Sequence, residues 1–337
     1  MESISVIGID LAKISFEVTG WSPQGRPVLQ KRFGREKLRK FVGQLPPTVI
    51  GMEACGGAHY WGRMFRGMGH EVRLVSPQFV KAYVKSNKND RVDSEAICEA
   101  VTRPHMRFVA VKVLEQQDVL SVHRVRERLM KNRTALCNEI RGLLMEYGVV
   151  EGQGVSVLRR ALPRLLEEGD NGMTDRIREV IADLWEELKD LEKRIARYDR
   201  KIELEVRSNE VSRRLIAVPG VGPVTASAVA ASVGHAGVFK NGRAFSASLG
   251  LVPRQHSSGG KEHLLGISKR GDGYLRRLLI HGARTVLRHL GSKEDLRSQW
   301  LRRLEARRGR NRACVALANK NARILWALMA HGETYRG

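Results

Sequence analysis

The chain has 337 residues, of which 59 are Lys or Arg and 36 Asp or Glu, for a formal net charge of +23. Such a length accommodates two or three domains around a sizeable core and excludes a small disulfide-stapled scaffold. The charge calls for a polyanion or an acidic membrane surface as partner, whereas 42% hydrophobic and 28% charged residues are ordinary for a folded soluble chain and no apolar run approaches the roughly 20 residues of a membrane span.

The start, MESISVIGIDLAK, lacks the basic segment and long apolar stretch of a signal peptide, so a cytoplasmic location and a nucleic-acid partner, with no membrane role, are expected. SVIGID, FEVTG and PVLQKRF have strand character and are separated by turn residues, which makes a meander the simplest pairing. REKLRKFVGQL has helical spacing and stops at Pro46-Pro47. TVIGME is an apolar strand, AHYWGRMFRGMG a helix, EVRLVSP a further strand, and a last helix runs from about Asp93 to Thr102. The order βββαβαβα predicts a mixed sheet with helices on its faces.

Four acids stand at the ends of these elements. Asp10 closes VIGID, Glu53 closes VIGME, and Asp90 and Asp93 lie in KNDRVDSEA where a helix begins. Taken singly, Asp93 reads as a helix cap and Asp10 as a turn residue. Taken together, ionised carboxylates beside apolar strands need a partner or a metal. Acids from neighbouring strand ends and a helix start can hold two divalent ions about 4 Å apart, the arrangement that activates phosphodiester displacement; Mg2+ (or Mn2+) suits such hard oxygen ligands.

The middle of the chain has no strand signal. Val125, Leu129, Asn132, Leu136, Ile140 and Leu143 step by three and four, as do Leu184, Leu188, Leu191, Ile195, Tyr198 and Ile202. These are heptad seams, predicting two long coiled-coil helices that pair within one chain or with another subunit, with Asn132 fixing the register. The stretch between Gly148 and Gly172 reads as a loop around one short helix. A spacer, a dimerisation element and an RNA contact are all compatible with this region. Cys55, Cys98, Cys137 and Cys314 form no CxxC pair and are expected to be reduced thiols.

Composition divides the chain into three parts. Residues 1–110 carry 17 basic and 10 acidic groups, 111–210 carry 19 and 20, and 211–337 carry 23 and 6. In the last part, Pro-Gly-Val-Gly-Pro separates two apolar helical stretches and resembles a helix-hairpin-helix motif. Gly220 and Gly222 would there let the backbone approach a phosphate; a tight turn between packed helices is the alternative. Next, Ser257 and Ser258 precede Gly259-Gly260, with Arg254, His256, Lys261, Lys269 and Arg270 around them and Arg276 and Arg277 further on as expected phosphate contacts. A serine nucleophile needs a general base, which His256 can supply, and cations to stabilise the phosphorus-bound oxygens. The arginine-dense RRLEARRGRNR, residues 302–312, suits phosphate contact; few aromatics interleave it, so stacking on single-stranded bases is not indicated.

VIGIDLAK, IGMEACGGAHYWGR, KNDRVDSEAI, PGVGPVTA and GLVPRQHSSGGKEHLLGISKRGDGYLR follow one another over nearly the whole chain. Together they resemble the IS110 family of transposases, of the IS1111 type. The resemblance implies a RuvC-like domain of RNase H fold carrying a DEDD tetrad (1–110), a coiled-coil helical domain (111–210), and a mainly helical transposase domain with a nucleophilic serine (211–337). Placed on this sequence, the tetrad is Asp10, Glu53, Asp90 and Asp93. The serine directly precedes a glycine-type position, which favours Ser258 and leaves Ser257 open. The resemblance further implies target and donor DNA as substrates, a structured non-coding guide RNA, a nucleoid-associated location, and a homo-oligomer, dimer to tetramer, in which the serine of one subunit meets the tetrad of another.

The expected function is a recombinase that cuts and rejoins DNA through a serine-phosphate link, which conserves bond energy and needs no ATP; no GxxxxGK[ST] motif occurs. Two other readings use the same residues. One is a metal-dependent junction-resolving nuclease with a structural serine, the other a catalytically silent RNA- or DNA-binding protein.

Overall fold

In the computed structural model, residues 3–84 and 90–336 are described, Asp90 by its backbone alone. The chain separates into two units, Met1–Gln116 and Gln117–Gly337.

The first unit is built from β1 (Val6–Asp10), β2 (Ser15–Trp21), β3 (Pro27–Gly34), α1 (Arg35–Gly43), β4 (Val49–Glu53), α2 (Ala58–Gly67), β5 (Glu71–Val75), the one-turn α3 (Pro77–Val80), α4 (Asp90–Thr102) and β6 (Phe108–Val109). The sheet runs β3-β2-β1-β4-β5-β6. The expected meander of β1 to β3 is present, β1, β4 and β5 are parallel, and β6 closes the edge antiparallel to β5. Alternation along each strand sorts the two faces. Ile7, Ile9, Ile50 and Met52 join Leu38, Val42, Trp61 and Phe65 in the core under α1 and α2. Ile97, Ala100 and Val101 of α4 pack with Val75 and Val80 in a separate cluster on the opposite face.

The second unit is helical apart from one hairpin. The 32-residue α5 (Leu114–Met145) leads into it, followed by α6 (Val155–Glu167) and the 34-residue α7 (Asp175–Ser208). Leu129, Leu136 and Ile140 of α5 share a core with Leu188, Leu191 and Ile195 of α7, and Leu158, Leu162 and Leu165 of α6 complete it. Asn132 corrects the sequence reading: it is exposed, so it takes no part in that core. A second core gathers α8 (Glu210–Ile216), α9 (Pro223–Val233), α10 (Gly242–Ser248), α11 (Gly273–Arg288), α12 (Leu296–Arg308) and α13 (Arg310–His331). Strands β7 (Pro253–Gln255) and β8 (Leu264–Ile267) form a two-stranded antiparallel sheet between α10 and α11 in the chain. Among the described residues no helix is long and apolar enough to cross a membrane.

Candidate active site

Two of the four acids are neighbours because their strands are. Parallel pairing matches Gly8 with Gly51 and Ile9 with Met52, so Asp10 and Glu53 follow side by side at the carboxyl ends of β1 and β4. Period-two alternation puts both on the face that carries Gly8 and Gly51, opposite the apolar face of Ile7, Ile9, Ile50 and Met52. That is the face covered by α4. A Cβ on Gly8 would lie 2.2 Å from the Ser94 carbonyl oxygen, and one on Gly51 2.7 Å from Cγ1 of Val101. The two glycines thus admit α4 against the sheet, and α4 carries Asp93 in its first turn.

Polar bonds fix α4 in that position. Ser94 Oγ and Thr19 Oγ1 of β2 are 2.7 Å apart, and the Cys98 thiol donates to the Thr19 carbonyl at 3.3 Å. At the other end, Arg73 of β5 donates to the Val101 carbonyl at 2.7 Å. Cys55, just beyond β4, senses both strand-end acids: burial first, then the charges of Glu53 and Asp10, push its thiol above its ordinary pKa. Asp90 opens α4, and its side chain lies outside the described residues. Among the described residues, no group of three or more His, Cys, Asp or Glu is arranged to hold a metal ion.

The serine pair sits at the tip of the β7–β8 hairpin. Ser258 bridges to Lys261, whose amide donates to the Ser258 carbonyl at 3.1 Å, and the His256 amide donates to the His263 carbonyl at 3.0 Å. Gly259 and Gly260 form the two-residue turn with φ of +58° and +75°, the left-handed pair that a type I′ hairpin requires and that glycine adopts without strain. Residues 253–266 are exposed. The register gives the two serines different settings: His256, Ser258, Lys261 and His263 alternate onto one face, while Ser257 lies on the other, where its hydroxyl accepts from Gln255 at 2.8 Å.

The remaining candidates divide by what they touch. Arg254, Lys261, Lys269 and Arg270 are exposed on or beside the hairpin. Arg276 instead clamps the hairpin base, donating to the carbonyls of Leu249 at 2.8 Å and Arg270 at 3.2 Å, and Arg277 pairs with Glu127 of α5. Gly220, with φ +88°, brings its backbone against α11: a Cβ on Gly282 would lie 1.8 Å from the Gly220 carbonyl oxygen. Its close approach is therefore to a helix of the same chain. Gly222 has open space around its Cα and precedes α9 without a side-chain cap.

One buried cluster escaped the sequence reading. His123 of α5, 2% exposed, places Nδ1 2.9 Å from the Tyr274 hydroxyl of α11 and Nε2 3.0 Å from Ser227 Oγ of α9. A histidine on a long amphipathic helix carries no sequence signal for such a role. The signal for Gly8 and Gly51 was present in the repeated Val-Ile-Gly-apolar-acid of VIGID and VIGME.

Residues 7–149 match the IS110-type DEDD transposase family, and residues 212–300 match the family described as "Transposase IS116/IS110/IS902 family". The chain is 52% identical over 335 residues to the "probable family 20 transposase" of Pseudomonas aeruginosa, covering 99% of each chain. It is 50% identical over 336 residues to the "transposase for insertion sequence element IS1111A" of Coxiella burnetii, covering 100% of this chain and 92% of that one. The transposase for element IS1328 of Yersinia enterocolitica is 39% identical over 335 residues. The mixed sheet of the first unit is RNase H-like, and with its strand-end acids and the basic helical part it defines a DNA transposase. The chain belongs to the IS116/IS110/IS902 family of insertion-sequence transposases.

Proposed function

We propose that this transposase cuts and rejoins DNA through a covalent link between Ser258 and a DNA phosphate. The observation that carries the reading is the hairpin: a glycine turn presents Ser258 at an exposed tip, on the same face as His256 and Lys261. In the first step His256 takes the hydroxyl proton, the Ser258 Oγ–P bond forms, and the P–O bond to the leaving strand breaks as His256 passes that proton to the leaving oxygen. A hydroxyl of the partner strand then gives its proton to His256 and attacks the same phosphorus, and the P–Oγ bond breaks as His256 returns the proton to the serine. Lys261, with Arg254 and Arg270, offsets charge on the phosphorus-bound oxygens.

The carboxylates of Asp10 and Glu53 at two strand ends, with those of Asp90 and Asp93 at one helix start, would supply oxygen donors, which suit a hard divalent cation such as Mg2+ or Mn2+. Such an ion, when bound, supplies polarisation of the scissile phosphate and neutralises its charge. The serine and these acids belong to different units of the chain. The family resemblance supports their meeting across subunits of a dimer or tetramer, with α5 and α7 acting as a coiled coil, residues 111–210 as its domain and 211–337 as the serine domain. It also supports a structured guide RNA that specifies target and donor DNA, and association with the nucleoid; the Pro-Gly-Val-Gly-Pro turn between α8 and α9 supports a helix-hairpin-helix role there, with Gly220 and Gly222 the candidates for the phosphate.

The test is the product left after denaturation. Parent protein is expected to leave a protein–DNA adduct, Ser258→Ala to lose it while keeping DNA binding, and Ser257→Ala to retain it. Asp90→Asn should lose metal-dependent strand cleavage. An adduct in Ser258→Ala, or free cut ends with no adduct in the parent, overturns the serine route; the second result is that of a junction-resolving nuclease. Co-purification of one discrete RNA checks the guide.

A further inference from the structure

The arginines around α12 are not equivalent. Arg297 donates to the Tyr335 hydroxyl, Arg302 to the carbonyls of Gly291 and Lys293, and Arg310 pairs with Glu305 at 3.5 Å. Arg303 and Arg307, both exposed, make no hydrogen bond or ion pair among the described residues. They line an open groove of about 250 Å3 with Trp300 and Leu304. The spacing 300, 303, 304, 307 is one helical stripe, so two uncommitted guanidiniums share a face with the outer edges of an indole and an isobutyl group that are half-buried against the second core. One turn earlier Leu296 is 84% exposed and prolongs its apolar part. The indole is steadied from outside the groove by Lys320 of α13, whose ammonium lies 4.8 Å from the ring centroid. RRLEARRGRNR holds no aromatic residue, but the helix brings Trp300, two residues before it, onto the arginine face.

From this we infer that the α12 groove is a binding site for an unpaired DNA strand, with a base stacked in the groove beside Trp300 and Leu304 and its flanking phosphates held by Arg303 and Arg307. The charge requires a polyanion, and the apolar strip requires one with exposed flat faces. A duplex keeps its base faces stacked inside, so it satisfies only the first condition. The chain belongs to a family of DNA transposases, so the strand is taken as DNA, and the oligouridylate arm of the test sets it against RNA. The inference goes beyond the serine route and does not depend on it.

The test is the binding of the full-length protein to dye-labelled oligothymidylate, a duplex of equal length and oligouridylate, followed by fluorescence anisotropy. Trp300→Leu keeps an apolar side chain for packing and should weaken oligothymidylate binding about tenfold, the loss of one stacked base. Duplex affinity should stay unchanged, and Trp300→Phe should recover most of the loss. Replacing Arg303 and Arg307 by Ala should lower the salt dependence of single-strand binding by about 0.7 per lost phosphate contact. This pair lies on the surface, so it tests the site even if Trp300→Leu fails to fold. Unchanged oligothymidylate binding in Trp300→Leu, or in the arginine pair where that variant does not fold, overturns the inference. An equal loss for duplex does so too, as does a preference for oligouridylate that the variant abolishes.

Discussion

Gly8→Ala should leave a protein that binds DNA but cleaves it about a hundredfold more slowly. The added methyl would sit 2.2 Å from the Ser94 carbonyl oxygen and 2.9 Å from the Cys98 amide nitrogen. Both are backbone atoms of α4, so no side-chain rotation relieves the clash and the helix must move off the sheet. Overpacking of this kind costs about 1–3 kcal/mol, a large part of a domain's marginal stability. Moving α4 also displaces Asp93, which is proposed to share a metal with Asp10 and Glu53, and a displacement of about 1 Å in such a constellation costs about 100-fold in rate. Gly51→Ala meets a movable methyl, Cγ1 of Val101 at 2.7 Å, and should lose less. Gly34→Ala, with open space at its Cα, is the control. Thermal melts, metal-dependent cleavage and DNA binding of the three variants check the order; a Gly8→Ala protein that melts and cleaves like the parent removes α4 from the site.

The same residues show what the sequence made legible. Five strands of the first unit announced themselves by apolar runs, and VIGID and VIGME displayed two strand-end acids. That β1 and β4 lie next to each other is a matter of long-range pairing, which no local pattern encodes. The two-residue β6 and the short exposed β7 and β8 are below the length at which alternation can be read. Gly259-Gly260 was therefore visible as a flexible loop, and its I′ geometry emerged only with the pairing around it. Asn132 satisfied the heptad count yet faces solvent, and α6 adds Leu158, Leu162 and Leu165 to a core that the two-helix pattern assigned to α5 and α7 alone. Arg276 and Gly220, expected at phosphates, also make tertiary contacts to Arg270 and Gly282 that no local pattern announces.

Acidification should destabilise the second unit through His123. Ser227 Oγ lies 2.8 Å from the Pro223 carbonyl, to which its hydroxyl donates, so it accepts from the histidine Nε2–H; Nδ1 is left to accept from the Tyr274 hydroxyl. This chain of donors suits the neutral ring; a second proton on Nδ1 would force the Tyr274 hydroxyl to turn from donor to acceptor. Burial first, and then the charge of Arg126, lower the His123 pKa from 6.5 to about 4. Burial pushes Tyr274 up to about 12, so it keeps its proton throughout the acidic range. Because the folded pKa is the lower one, the unfolded chain binds the extra proton: the contribution is fully present above pH 6.5 and is lost as pH falls towards 4. At about 1.4 kcal/mol per unit, the loss approaches about 3 kcal/mol. Chemical denaturation between pH 7.5 and 4.5 should show this slope in the parent. His123→Gln, less stable by about 1–2 kcal/mol at pH 7.5 through an incomplete set of hydrogen bonds, should show a shallower one. Equal slopes would mean that other groups carry the pH dependence. The three partners lie on α5, α9 and α11, and Tyr274 stands two residues after Asp272, which caps α11 where the chain leaves the serine hairpin. Protonating His123 should therefore loosen the footing of that hairpin before the rest of the helical unit unfolds, and the exchange of the Tyr274 and Leu275 amides with solvent water should accelerate first.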